Sequence, residues 1–95
     1  MTLKISQEAQ EDIHDIRRYT AKNWGKAKAI EYILQLQLTM KTLEKSPQLG
    51  IERDEIRAGA RSFPCGRHII FYRALADGIV VTAVLGQLQD PKRHL

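Results

Sequence analysis

The chain contains a single cysteine, Cys65, in 95 residues. No disulfide can close within it, and a lone thiol fits a reducing cytoplasm. Long apolar runs are missing too. The longest, Ile79 to Leu85, is strand-sized and far short of the roughly 20 residues that a membrane helix needs. The opening Met1-Thr2-Leu3-Lys4-Ile5 has no signal-peptide core, so the sequence predicts a cytoplasmic protein with no membrane partner. Proline and glycine are sparse, at three and six. They form no linker, repeat or low-complexity tract, and the length leaves room for one core, so a single domain over 1–95 is expected. Metal-ligand spacing is absent, because Cys65 has no second thiol and the three histidines form no close pair. Phosphate-loop, dinucleotide and nucleophile-elbow glycine motifs are missing as well. The expectation is no metal and no cofactor.

What is present is a mild excess of positive charge, +4 from 15 basic and 11 acidic residues. It suits nucleic acid or an acidic protein as partner, or serves solubility alone. The hydrophobic pattern divides the chain into a helical half and a strand half. Thr2 to Ile5 reads as a short strand, and Ser6 as the N-cap of a helix whose first turns hold Glu8, Glu11 and Asp12, where the helix dipole favours acids. Ala9, Ile13, Ile16, Thr20 and Trp24 recur at helical spacing, and Gly25 is the expected left-handed terminus. A second helix runs from about Lys26 to Lys45 and stops at Ser46-Pro47. Gln48 to Glu55 reads as a loop. Three strands follow, Ile56–Phe63, Arg67–Ala74 and Ile79–Leu85, separated by a Pro64-Cys65-Gly66 turn and by Asp77-Gly78, a strong hairpin signal. The fold class is therefore α+β in the order β-α-α-β-β-β, with a helical hairpin on one face of a small antiparallel sheet.

Two patterns point to binding. The first is cationic. Arg57, Arg61, Arg67 and Arg73 fall on the strand meander with no acidic residue among them, and alternation pairs Arg57 with Arg61 and Arg67 with Arg73 on shared faces. Lys92, Arg93 and His94 extend the charge into the tail. The alternative is a solvated sheet face and a solubilising end. The second is a surplus apolar stripe. On the second helix Ala29, Ile33, Leu36, Met40 and Leu43 form the core face, whereas Ala27, Ile30, Leu34 and Leu38 lie roughly 100–180° away at 100° per residue. That second stripe either packs on the first helix or forms a surface for a partner's amphipathic helix. Catalysis would need a base, an acid and a cationic stabiliser in reach of one another. Tyr72 and His94 with the arginines are the only candidates, while His14 and His68 lack a spaced carboxylate. No catalytic residues are assigned.

Several stretches, in this order and spacing, carry a resemblance over nearly the whole chain. They are Ser6 to Ile16 (SQEAQEDIHDI), Tyr19 to Tyr32 (YTAKNWGKAKAIEY), Leu43 to Gly50 (LEKSPQLG), Ile56 to Arg61 (IRAGAR), His68 to Arg73 (HIIFYR) and Val84 to Leu95 (VLGQLQDPKRHL). Together they resemble the ParE toxins of the ParE/RelE superfamily. The resemblance implies a non-catalytic toxin of a type II toxin–antitoxin pair that inhibits DNA gyrase. It also implies neutralisation by a ParD-like antitoxin, through which alone the complex meets operator DNA. On this view Arg57, Arg61, Arg67, Arg73, Lys92, Arg93 and His94 face the target, and Ala27, Ile30, Leu34 and Leu38 face the antitoxin. The alternative is the RelE-like branch, which cuts messenger RNA on the ribosome. The chain departs from that branch in lacking its terminal tyrosine and in having Leu49-Gly50-Ile51-Glu52 in place of its lysine-rich segment. His94 is the residue that keeps the nuclease reading open.

Overall fold

A computed structural model describes residues 2–87. Strand β1 (Thr2–Ile5) leads into helices α1 (Gln7–Trp24) and α2 (Lys26–Lys45), a 3-10 turn (Pro47–Leu49), and strands β2 (Ile51–Glu52), β3 (Ala60–Cys65), β4 (His68–Leu75) and β5 (Gly78–Gly86). The five strands form one sheet in the order β1-β5-β4-β3-β2. The meander β2 to β5 is antiparallel, as the short turns require, but β1 lies parallel beside β5. The sheet is therefore mixed rather than purely antiparallel. A parallel pair needs a long connection, and the helices and meander supply it.

Ser6 begins α1 as its sequence suggests. Its hydroxyl accepts from the Ala9 amide at 3.1 Å and donates to the Thr82 carbonyl at 3.2 Å, tying the helix start to β5. Gly25 separates the helices with φ 95° and ψ 163°. The φ is positive, but ψ is extended rather than left-handed, a region open essentially to glycine alone. That geometry lets α2 start at the very next residue.

The core lies between the hairpin and the sheet. Ala9 and Ile16 from α1 and Ile33, Leu36, Met40 and Leu43 from α2 close on Ile70, Tyr72, Ile79, Val81 and Val84. A register shift between Phe71 and Tyr72 explains why β5 is apolar on both sides of Thr82 without strict alternation. Tyr72 pairs with Val81 and Phe71 with Ala83, leaving Thr82 as an extra residue. The alternation changes phase there, so Val81 and Val84 face the helices while Ala83 and Leu85 join Phe71 on the other side.

That outer face is partly roofed. Residues 53–59 form a turn whose Ile56 packs on Phe71, Ala83 and Leu85, and the Arg53 guanidinium lies 5.8 Å over the Phe71 ring. The Asp54 carboxylate accepts from the Gly59 amide at 3.1 Å, and Arg53 pairs with Glu55 at 2.8 Å. These local bonds win over extension, so the strand read from Ile56 begins only at Ala60. The next turn also moves: Pro64 and Cys65 belong to β3, and the chain reverses at Gly66 and Arg67. Proline is tolerated there because β2 pairs only with Arg61 and Ser62, leaving the outer edge of β3 open beyond them. Cys65 is buried against α2 rather than presented on a turn.

Candidate functional site

The second stripe of α2 is a solvent-facing surface. Ile30, Leu34 and Leu38 are 54%, 52% and 65% exposed, and Ala27 is exposed beside them. Packing on α1, the bland alternative, is ruled out by geometry. The core stripe Ala29, Ile33, Leu36, Met40 and Leu43 already makes the contacts with α1 and the sheet, and the second stripe points the opposite way. Leu49 and Ile51 near the sheet edge are also exposed, apolar positions that the sequence reading left inside a loop.

The four arginines do not form one patch. Arg57 lies on the turn and not on a strand, so it does not share a strand face with Arg61. Arg61 lies opposite Tyr72, on the helix side of the sheet, and is engaged locally. Its guanidinium donates to the Gly50 carbonyl at 2.8 Å and pairs with Glu52 at 3.3 Å. Arg67 occupies the β3–β4 turn, 5.5 Å over the Trp24 ring, and does not share a face with Arg73. Arg73 lies opposite Ala60 and Val80 on the outer face. The structure thus brings together Arg57 and Arg73 alone, on one wall of a groove of about 610 Å³ whose other wall is Glu8, Glu11 and Asp12. Neither arginine forms an ion pair among the described residues. Lys92, Arg93 and His94 lie outside the described residues.

Tyr72 is no acid–base group in waiting. It is fully buried, its hydroxyl donates to the Pro47 carbonyl at 2.7 Å and accepts from the Gly50 amide at 2.8 Å, and burial pushes its pKa up. It fastens the 3-10 turn to the sheet. The groove lined by Arg57 and Arg73 contains neither histidine nor tyrosine among the described residues.

A smaller cleft of about 290 Å³ opens between the ends of the helices and the β3–β4 turn, lined among others by Tyr19, Trp24, Lys28, Tyr32, Arg67 and His68. The Tyr32 hydroxyl and His68 Nδ1 are 2.6 Å apart in a hydrogen bond whose donor depends on the imidazole tautomer. Burial lowers the His68 pKa and so favours the neutral ring, and burial also raises the Tyr32 pKa. The sequence reading missed this cleft. Its one signal is an aromatic, Trp24, in the last turn of α1, read with the helix's apolar face but half-exposed beside the β3–β4 turn.

No helix among the described residues is long and apolar enough to cross a membrane. Against this geometry, the family model of the ParE toxin of the type II toxin–antitoxin system parDE matches residues 3–91. The chain belongs to the ParE toxin family. Toxin ParE1 of Caulobacter vibrioides is 32% identical over 92 residues, 97% of this chain and 95% of the relative. Toxin ParE1 of Mycobacterium tuberculosis is 35% identical over 92 residues, 96% of this chain and 94% of the relative. Among solved structures, a chain of the chromosomal ParDE TA system from P. aeruginosa superposes with a TM-score of 0.78 at 19% identity, covering 90% of this chain and 95% of that one. At that identity the likeness speaks to the fold. As a ParE toxin, the chain has the α+β architecture and the family that its sequence suggests.

Proposed function

We propose that this ParE-family chain inhibits DNA gyrase by binding rather than catalysis, and that a ParD-like antitoxin neutralises it by laying an amphipathic segment on Ala27, Ile30, Leu34 and Leu38. The observation that carries the antitoxin surface is the uncovered stripe of α2. Three large aliphatic side chains stand in solvent on the face opposite a complete core, and a helix in a groove reads such i, i+4, i+8 anchors. Operator DNA would be reached only through the antitoxin. Arg57 and Arg73 are the described residues best placed to face the target, with Lys92, Arg93 and His94 as proposed extensions of that charge. Arg61 is committed to Glu52 and Gly50, and Arg67 lies over Trp24 at the hairpin tip, away from that wall.

The test is a supercoiling assay with purified gyrase, run beside an in vitro translation reaction monitored for messenger cleavage. Inhibited supercoiling with intact messenger is expected, weakened at least about tenfold by the double reversal Arg57→Glu/Arg73→Glu, since charge-assisted contacts contribute about 1.5–3 kcal/mol each. Cut messenger with normal supercoiling would move the chain to the nuclease branch. For the antitoxin surface, Leu34→Glu and Leu38→Glu should weaken capture of the partner while leaving the melting transition nearly unchanged, because both side chains are already in water.

A further inference from the structure

The cleft at the tip of the helical hairpin has the makings of a second recognition site, separate from the α2 stripe and from the outer groove. Tyr19 and Trp24 are 60% and 51% exposed and meet edge to face with ring centres 5.9 Å apart. Arg67 lies 5.5 Å over the indole and forms no ion pair among the described residues. Stacking on Trp24 holds the guanidinium while leaving its N–H edge open to a planar acceptor. The Arg67 main chain is fixed as well, its amide donating to the Tyr32 hydroxyl at 3.1 Å. Lys28 flanks the cleft, and its contact with Glu31 at 3.7 Å is a surface pair between two well-exposed side chains, weak enough to be exchanged.

The surrounding charge is mainly positive. The cleft is lined by Lys28 and Arg67 with one carboxylate, Glu31, which sits beside Lys28. From Arg17 to Ile30 the chain has five cations and no carboxylate, so the field at the hairpin tip favours anions. At about 290 Å³ the cleft is at the small end of ligand sites, a size that suits one apolar side chain. Trp, Tyr and Arg around a pocket are the residues that dominate protein-binding hot spots. Nucleic acid is less well served. One face of the indole is already covered by Arg67 and the tyrosine meets it edge-on, so no open pair of parallel ring faces is offered for a base to slide between.

We propose that this cleft binds an acidic segment of a partner protein, taking one apolar side chain between Trp24, Tyr19 and Tyr32 and a carboxylate on Arg67, with Lys28 drawing a second acid. The site is built on Arg67, Trp24, Tyr19 and Tyr32 and not on Ala27, Ile30, Leu34 and Leu38, so its test does not depend on the antitoxin assignment above.

The chain has a single tryptophan, so indole emission reports on this cleft alone. Purified protein is titrated with the blocked peptide acetyl-Glu-Asp-Leu-Phe-Asp-Glu-amide, with the same peptide carrying lysines in place of its acids, and with a ten-nucleotide oligothymidylate. The expected result is a saturable emission change with the acidic peptide and none with the lysine peptide. Arg67→Gln should weaken the acidic peptide at least about tenfold and Lys28→Gln by less, with unchanged circular dichroism. Leu38→Glu should bind it as well as the parent chain, even where antitoxin capture is lost. No saturable change with the acidic peptide would overturn the proposal, as would undiminished binding by a folded Arg67→Gln protein. Tighter binding of the oligonucleotide than of the peptide would overturn it in favour of a nucleic-acid surface.

Discussion

At the scale of single residues, a side chain that looks chemical in the sequence can turn out to hold the fold. Tyr72 is the clearest case. Its hydroxyl bridges the Pro47 carbonyl and the Gly50 amide, and Gly50 has no room for a side chain because a Cβ there would overlap that hydroxyl. Tyr72→Phe leaves a buried donor and an acceptor without their partner. It should cost about 1–3 kcal/mol, seen as a lower denaturant midpoint at unchanged slope. His68 makes a pH prediction. Burial lowers its pKa from the ordinary 6.5, so below that value the unfolded chain takes up a proton that the folded chain resists. This part of the stability is present above pH 6.5 and is lost as pH falls from there through the lower folded value. Denaturation at pH 7.5 and pH 5 should show the loss, and His68→Gln should reduce the difference between the two. An equal pH dependence in that variant would assign the effect to other groups.

At the scale of elements, the helices were legible and much of the sheet was not. The limits of α2 follow from local chemistry, a glycine before and a proline after, and its two stripes follow from one periodicity. Gly25 is where that chemistry is most exacting. No atom lies within 4 Å of a Cβ built there, yet its backbone is in the glycine region. Gly25→Ala should therefore destabilise by about 1–3 kcal/mol through backbone strain alone, a calorimetric shift with no clash to relieve. The arginines were misassigned for a different reason. Alternation holds only within a strand, and both pairs lose a member to a turn: Asp54, Gly59 and the Arg53–Glu55 pair hold Arg57 in the turn before β3, and Arg67 falls in the turn before β4. Strand β2 has two residues and exists only through its register with β3. No pattern within its own sequence could announce it. Similarly, nothing in Thr2–Ile5 says that β1 will lie parallel to a strand more than 70 residues away.

At the scale of the whole molecule, the surfaces are distributed around the hairpin and the sheet. An apolar stripe lies on the solvent side of α2, a basic aromatic cleft at the hairpin tip, and a groove with one acidic and one basic wall on the outer face. The sequence left the first of these open between packing on α1 and facing outward, and the exposure of Ile30, Leu34 and Leu38 decides for solvent. It left open whether the arginines form one patch, because strand register alone shows that the β3–β4 turn sends Arg67 to the helix tip.

The way α1 meets β5 has a consequence for behaviour in crowded solution. Strand β5 contains the longest apolar run of the chain and, in isolation, is the segment best suited to amyloid-like stacking. Strand β4 pairs with one edge of it along its length, and β1 covers the other edge only as far as Val81. Beyond that point α1 takes over: Ser6 donates to the Thr82 carbonyl and Asp12 accepts from the Val84 amide at 3.0 Å. Side chains of a helix thus cap the stretch of strand where another copy could add. Asp12→Ala should uncover the Val84 amide and shorten the lag before amyloid-dye binding in agitated solution, while Asp12→Asn, which keeps an acceptor oxygen, should remain as dispersed as the parent.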